Sequence, residues 1–201
     1  GWAEELMARA ILVGTESFHS TFGRPPWRRS ETDVGAYLVR THGPGWEDQV
    51  DFLQGTRLTP PVMIGPDKIG STRPEFYHAG HAVAVEVKNW PLDRFSMYAA
   101  HLRLQMAQRR WSVPAGTCHW IFFDLRGQRV GSLQDLAKFL DNLMTEYRIE
   151  CEEVYFVLDN KFVRAAGKAI ERGFGQAPVF NREGGSIPVV STFQEELGLP
   201  S

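Results

Sequence analysis

Glu86 and Lys88 stand two residues apart in the run VAVEVK, whose alternate positions hold Val83, Val85 and Val87. Side chains on a β-strand point alternately to its two faces. The spacing therefore predicts a strand with Glu86 and Lys88 on one face, roughly 6–7 Å apart, and the three valines in the core. A carboxylate beside an amine is unusual on an otherwise apolar strand. A chemical role and a solvated edge strand both account for it.

Glu75 adds a second carboxylate to the same face. Antiparallel pairing about a turn between Gly80 and His81 would place Glu75 directly opposite Glu86. Two like charges opposed in this way destabilise a hairpin, so a compensating cation is expected. A register shift of one residue would instead move Glu75 to the other face of the strand.

Two carboxylates and a lysine on one face suggest a specific chemistry. Hard divalent cations such as Mg²⁺ or Mn²⁺ take carboxylate oxygens together with several waters. A metal held this way lowers the pKa of a bound water and holds a phosphate oxygen. Lys88, next to it, could orient the attacking water or offset charge on the phosphorane. Glu75, Glu86 and Lys88 thus predict a minimal site for phosphodiester hydrolysis.

Four short motifs follow one another along the chain: residues 70–75 (GSTRPE), 85–90 (VEVKNW), 105–109 (QMAQR) and 124–128 (DLRGQ). The acid after a proline, followed by ExK, resembles the PD-(D/E)xK nuclease superfamily. The ordered set looks more closely like the restriction-endonuclease-like toxin domains at the C-terminal ends of bacterial polymorphic toxins. Those toxins are delivered by contact-dependent inhibition or type VI secretion. The resemblance covers roughly residues 30–158.

The resemblance implies roles for individual acids. Glu75 would take the place of the first acid of the motif, where the family usually has Asp, Glu86 the second, and Lys88 the lysine. The three would form a centre that uses Mg²⁺ or Mn²⁺. Family members often carry a further acid on a helix before the hairpin. Glu31 is the stronger candidate for this metal ligand and Glu47 the weaker one.

The resemblance also implies substrate contacts. Gln105 and Arg109 are four residues apart, which places them on one face of a helix, and they would face the cleft. The Arg109 guanidinium could hold a phosphate with its two-pronged fork. Arg73 is a further candidate contact. Asp124 ends a buried strand, where a third catalytic acid and a turn cap are both possible and the cap is favoured.

Taken as a whole, the resemblance implies a secreted antibacterial toxin nuclease that acts in the cytoplasm of a target bacterium. The domain would be part of a larger polypeptide and would bind a cognate immunity protein. DNA is the favoured substrate and transfer RNA the alternative. Glu75 in place of Asp favours another reading, a catalytically inert binding module. A third is a structural domain in which Glu86 and Lys88 form only an edge-strand ion pair.

Hydrophobic periodicity predicts the elements that would position these residues. Helices are expected at about residues 3–18, 30–42, 46–53, 93–110, 132–147 and 162–172. Strands are expected at about residues 73–78, 83–88, 119–124 and 154–158. A hairpin followed by alternating helices and strands predicts an α/β fold with a mixed β-sheet flanked by helices. The resemblance implies that this sheet is restriction-endonuclease-like.

Composition sets outer limits on these expectations. The chain has 201 residues and a net charge of −2, and hydrophobic residues make up 43%. That length suits one domain, which needs no disulfide or metal to fold. Cys118 and Cys151 are expected to be reduced, and no run is apolar enough to cross a membrane. The motifs divide the chain into an N-terminal helical lead-in (1–29), a nuclease core (30–172) and a C-terminal tail (173–201).

Overall fold

A computed structural model describes residues 2–7, 9–14, 26–58, 71–128, 130 and 132–159. The helices are α1 (Trp2–Met7), α2 (Pro26–His42), α3 (Ser96–Ser112) and α4 (Leu133–Met144). The strands are β1 (Ala10–Gly14), β2 (Glu47–Asp48), β3 (Phe52–Leu53), β4 (Thr56–Arg57), β5 (Ser71–Thr72), β6 (Phe76–His78), β7 (Val83–Lys88), β8 (Cys118–Asp124) and β9 (Glu153–Leu158).

Six strands form the main sheet in the order β1-β9-β8-β7-β6-β2. Four of them, β1, β9, β8 and β7, run parallel to one another, whereas β6 and β2 are antiparallel to their neighbours. Strands β4, β3 and β5 form a second, small sheet. The predicted α/β class with a mixed sheet is confirmed.

Helices cover both faces of the main sheet. On one face, Val34, Tyr37 and Leu38 of α2 pack with the alternate valines of β7. On the other face, α1, α3 and α4 pack against β8 and β9. The prediction that the valines of the VAVEVK run enter the core is confirmed, and Glu86 and Lys88 consequently project toward α3.

The hairpin of β6 and β7 has the predicted register. Phe76 lies opposite Val85, Tyr77 opposite Ala84, and His78 opposite Val83. The chain reverses direction through a turn in which the Ala82 amide donates to the Ala79 carbonyl at 3.2 Å. Glu75 lies one residue before β6, so the same register carried one step further sets it opposite Glu86.

Two of the helix predictions differ from the structure, the first of them only in its second half. Residues 10–14, within the predicted first helix, form β1, which pairs in parallel with β9. This run, AILVG, is apolar and short, and the sheet offers it an edge on which to bury its side chains. The lead-in is therefore not wholly helical, and its strand belongs to the same sheet as the predicted core.

The helix expected at residues 46–53 is wrong as well. This segment contains β2 and β3 instead. Gln49 has a φ of 51° and Gln54, just beyond, has a φ of 47°, a backbone conformation that a right-handed helix does not contain. The Gln49 amide donates to the Glu75 carbonyl at 3.2 Å, which ties this segment to the predicted catalytic hairpin.

Of the helices expected to begin at about residues 30, 93 and 132, only the last begins within one residue of the expected start. Ser132 caps α4, because its hydroxyl accepts from the Asp135 amide at 3.2 Å. In contrast, α2 begins at Pro26, so Ser30 lies inside it and is not a cap. Asp93 falls in a short 3₁₀ turn, and α3 begins only at Ser96. The predicted helix at 162–172 and the tail lie outside the described residues.

No helix in the described ranges is long and apolar enough to span a membrane. Cys118 and Cys151 are both free thiols, as predicted. Burial raises the pKa of Cys151 to about 12, so this thiol stays protonated at neutral pH.

Candidate functional site

Glu86 lies at the centre of a buried group of charged side chains. Its side chain is fully buried near the carboxyl end of β7. The Lys88 ammonium contacts its Oε1, and the Arg109 guanidinium contacts its Oε2. The Gln105 amide also donates to Oε1, at 3.1 Å. Together with Glu75, these residues form what we call the Glu86 cluster.

The local structure explains why these residues meet. Lys88 is two residues beyond Glu86 on one strand and shares its face. Gln105 and Arg109 are one helical turn apart on α3, on the side that packs on the sheet. Arg109 is fully buried and also donates to the Arg73 carbonyl, at 3.3 Å.

Glu86 is ionised in this environment. Burial opposes its charge, but the positive charges of Arg109 and Lys88 outweigh that effect and hold its pKa below the ordinary range. The Lys88 ammonium also lies 5.0 Å from the centre of the Trp90 ring, which gives it a second favourable contact.

Glu75 has the opposite electrostatic character. Burial and then repulsion from Glu86 raise its pKa to about 8, although Lys88 and Arg109 act against the shift. Glu31 of α2 raises it further. The Glu75 carboxyl therefore carries a proton at neutral pH. Glu75 thus lies close enough to Glu31 and to Glu86 to interact electrostatically with each, and the role of the three acids as metal ligands stays a prediction.

A cleft opens beside these acids. It has a volume of about 290 Å³, and three carboxylates line it, those of Glu31, Asp48 and Glu75. Glu47, the weaker candidate for the helical acid, lies on β2 rather than on a helix. It forms an ion pair with Arg57. Its predicted place on a helix is therefore wrong.

Arg73 has a partner that the sequence did not indicate. Its guanidinium donates from Nε and Nη2 to the two carboxylate oxygens of Asp51, each at 2.7 Å. Asp51 is buried. This ion pair holds the segment between β5 and β6, which leads into Glu75. Substrate binding by Arg73, Gln105 and Arg109 stays a prediction.

The DLRGQ motif holds structure around the site. Gln128 accepts from the Leu92 amide and donates to the Trp90 carbonyl, both at 3.1 Å. These bonds fasten the loop that follows β7 and Lys88. The motif thus positions the segment immediately after the predicted catalytic lysine.

Asp124 belongs to a second buried group, the Asp124 cluster, which also contains Ser30, Asp33 and Arg126. Asp124 accepts from Arg126 Nε at 2.8 Å and Nη2 at 2.6 Å, and from the Ser30 hydroxyl at 2.6 Å. Arg126 Nη1 donates to Asp33 at 2.8 Å. The Arg126 amide donates to Asp124 at 3.1 Å, which is the turn cap that the sequence favoured.

Several of these residues were not found from the sequence. Asp48 and Asp51 lie within the helix expected at residues 46–53, which is not formed, so their positions were not anticipated. His119, which belongs to no metal-ligand motif of the sequence, is buried. Burial and then the charge of Arg110 lower its pKa to about 4. The opposite charges of Asp33 and Arg126 are the only signal for their ion pair, and their separation of 93 residues in the sequence hides it.

No three His, Cys, Asp or Glu side chains of the described ranges stand close enough together to form a complete metal-binding group. Comparison with known proteins found no matching family, and no curated protein or solved structure matches the chain significantly.

Proposed function

We propose that this chain is a divalent-metal-dependent nuclease domain with a restriction-endonuclease-like core. The observation that supports it most is the hairpin register, which sets Glu75 opposite Glu86 when it is carried one residue beyond the paired strands, with Lys88 in contact with Glu86. These are the residues that resemble the PD-(D/E)xK motif. Their alignment on one face depends on a register that a shift of one residue would have destroyed.

The acids of the site suit Mg²⁺ or Mn²⁺. Glu31, Glu75 and Glu86 supply the carboxylate oxygens that such cations take. Burial, and after it repulsion from Glu86, raises the pKa of Glu75, and a cation would relieve the repulsion. When bound, the metal would supply a Lewis acid and an activated water. Glu75 and Glu86 would hold it, with Glu31 as a further ligand.

Lys88 would carry the remaining chemistry. Its ammonium is held between Glu86 and the face of Trp90, so its position is fixed before substrate arrives. From there it would orient the attacking water and offset charge that develops on the phosphorus oxygens. The DLRGQ motif supports it by fastening the loop that follows.

The resemblance supplies the biological setting of the proposal. The domain would act as a secreted antibacterial toxin, delivered into the cytoplasm of a target bacterium as part of a larger polypeptide. It would be neutralised by a cognate immunity protein. DNA is the favoured substrate because DNA cleavage dominates the superfamily. Transfer RNA is the alternative.

One observation favours a catalytically inert binding module instead. Both oxygens of the Glu86 carboxylate already contact the chain's own residues, Lys88 and Gln105 at one and Arg109 at the other. A cluster of this kind can be purely structural. In that case Glu86 would bind no metal, and nucleic acid or protein would bind without being cleaved.

The deciding experiment is a cleavage assay with two substrates. The purified domain is incubated with Mg²⁺ and either plasmid DNA or total transfer RNA, and separately with EDTA. We expect cleavage of one substrate, lost with EDTA and lowered at least about 100-fold by Glu86→Ala or Lys88→Met. Glu146→Ala, which removes an exposed acid after α4, is the matched control and keeps activity.

The outcomes separate the readings. Cleavage that both EDTA and Glu86→Ala abolish supports the nuclease and identifies its substrate. No cleavage of either substrate with Mg²⁺ or Mn²⁺ would contradict it, and nucleic-acid binding without cleavage would favour the inert module. Circular dichroism of Lys88→Met distinguishes a lost reaction from a lost fold.

A further inference from the structure

Arg109 connects the two strand segments that carry the predicted metal ligands. We propose that it is a positioning residue for these ligands and does not bind substrate. The inference rests on the proposed nuclease function. The resemblance implies that Arg109 contacts substrate, and the proposal gives it a different role. It depends on two contacts and on complete burial.

The first contact is with the second acid. The Arg109 guanidinium reaches Oε2 of Glu86, while Gln105, one turn earlier on the same helix, donates to Oε1 at 3.1 Å. The two side chains of α3 therefore hold the two oxygens of one carboxylate separately. Such a carboxylate cannot rotate, and its orientation is set before any ligand arrives.

The second contact is with the backbone that leads to the first acid. Arg109 Nη2 donates to the Arg73 carbonyl at 3.3 Å, two residues before Glu75. The Arg73 side chain is itself held by Asp51 at 2.7 Å. Arg109 thus bridges the approach to β6 and the end of β7, and the distance between the two acids depends on this bridge.

Burial argues against a substrate contact. The Arg109 side chain is 1% exposed, whereas the charged side chains that bind a phosphate backbone must reach the surface. The planar fork of Arg109 contacts a carboxylate and a carbonyl on different segments at once, with its donors at fixed angles. Lysine would retain the charge but could not make both contacts in the same geometry.

The test measures metal binding and nucleic-acid binding separately. Mn²⁺ affinity of the full chain is measured by calorimetry for the wild type and for Arg109→Lys, which keeps the charge. We expect the affinity to fall about 10–100-fold, as for other residues that orient a metal ligand. Arg103→Lys, at an exposed position on the same helix, is the matched control and keeps the wild-type affinity.

Nucleic-acid binding is then measured with Arg109→Gln in a Lys88→Met background, so that no cleavage occurs. We expect the nucleic-acid affinity of the double variant and its salt dependence to match those of Lys88→Met alone. In the protein that retains Lys88, we expect Arg109→Gln to lower kcat and to leave KM unchanged. A salt slope lowered by about 0.9 would instead show a lost phosphate contact and overturn the proposal.

The remaining outcomes are also informative. If the wild type binds Mn²⁺ and cleaves, but Arg109→Lys does both equally well, the positioning role is wrong and the nuclease function stands. If the wild type binds no Mn²⁺ and cleaves nothing, both fail. If neither Arg109 variant folds while Arg103→Lys does, the arginine is structural, and the positioning role is again rejected.

Discussion

The Glu86 cluster and the Asp124 cluster lie at the carboxyl ends of neighbouring parallel strands, and both combine buried acids with a largely buried arginine. They differ in how completely the acids are paired. In the Asp124 cluster, Arg126 forms ion pairs with both acids, at 2.6 Å to Asp124 and 2.8 Å to Asp33. Every carboxylate there faces a donor.

In the Glu86 cluster the pairing is uneven. Glu86 takes both cations, Lys88 and Arg109, whereas Glu75 forms no ion pair with any residue of the described ranges and keeps its proton instead. A complete cluster stabilises the fold, and an acid left over beside a cleft is available to a ligand. The comparison therefore distinguishes a structural group from the proposed functional one, although each consists of acids and an arginine in the sequence.

The largest effect on stability is expected at the Asp124 cluster. Arg126→Met would leave Asp33 and Asp124 buried together without a cation, and loss of one partner of a buried ion pair typically lowers the free energy of unfolding by about 3–5 kcal/mol. Urea denaturation measures the change. Arg40→Met, at an exposed position on α2, should change stability by less than about 0.5 kcal/mol.

A loss below about 1 kcal/mol for Arg126→Met would contradict the view that this cluster is structural. Under the proposed function, cleavage by the folded fraction should persist, because Arg126 forms its ion pairs with Asp33 and Asp124. A variant that is stable but inactive would place Arg126 in the proposed reaction and would remove the distinction between the clusters.

Replacing an acid by its amide should change the free energy of unfolding in opposite directions in the two clusters. The pKa of Glu75 is about 8 in the folded protein and near 4.5 when unfolded, so the folded state holds a proton that the unfolded state releases. Stability from this proton is present below about pH 4.5 and is lost as the pH rises toward 8. Glu75→Gln cannot ionise, so it should stabilise the protein at about pH 9 by about 2 kcal/mol.

Asp124→Asn should instead destabilise by about 2 kcal/mol, because an amide nitrogen would face the donors that Asp124 now satisfies. Denaturation of both variants at about pH 6 and about pH 9 gives the comparison. The gain of Glu75→Gln should be less than half as large at the lower pH, because the wild-type carboxyl there has lost only part of its stabilising proton contribution. Destabilisation by both variants at the higher pH would mean that Glu75 is ionised and paired.

The sequence predicted those parts of the structure that depend on local pattern. The alternation of VAVEVK gave the face of Glu86 and Lys88, and the short turn at Gly80 gave the register of the hairpin. The four-residue spacing on α3 placed Gln105 and Arg109 together. Each of these follows from a period of two or of 3.6 residues over a short span.

Other features depend on contacts between distant segments, which periodicity does not record. The run AILVG is a strand because β9, far along the chain, offers it an edge. Gln49 leaves the helical region because its amide bonds to Glu75. The pairings of Arg73 with Asp51 and of Arg126 with Asp33 could not be read from composition for the same reason.

The smallest effect is expected from His119, a buried base beside the Glu86 cluster. Burial, and then the positive charges of Arg110 and Arg109, lower its pKa to about 4, although Glu152 acts in the other direction. The folded protein therefore disfavours the proton that the unfolded chain takes up below about pH 6.5. Stability from neutral His119 is present above that pH and is lost as the pH falls toward 4, the reverse of the Glu75 dependence.

His119→Gln removes this titration. Its free energy of unfolding should fall less than that of the wild type between about pH 7 and about pH 4.5, by about 1–2 kcal/mol after allowance for solvent screening. Equal losses in the two proteins would show that His119 is not held neutral. Opposite pH slopes at Glu75 and His119 would agree with a Glu75 carboxyl that stays protonated and unpaired beside the cleft, while Lys88 and Arg109 pair with Glu86.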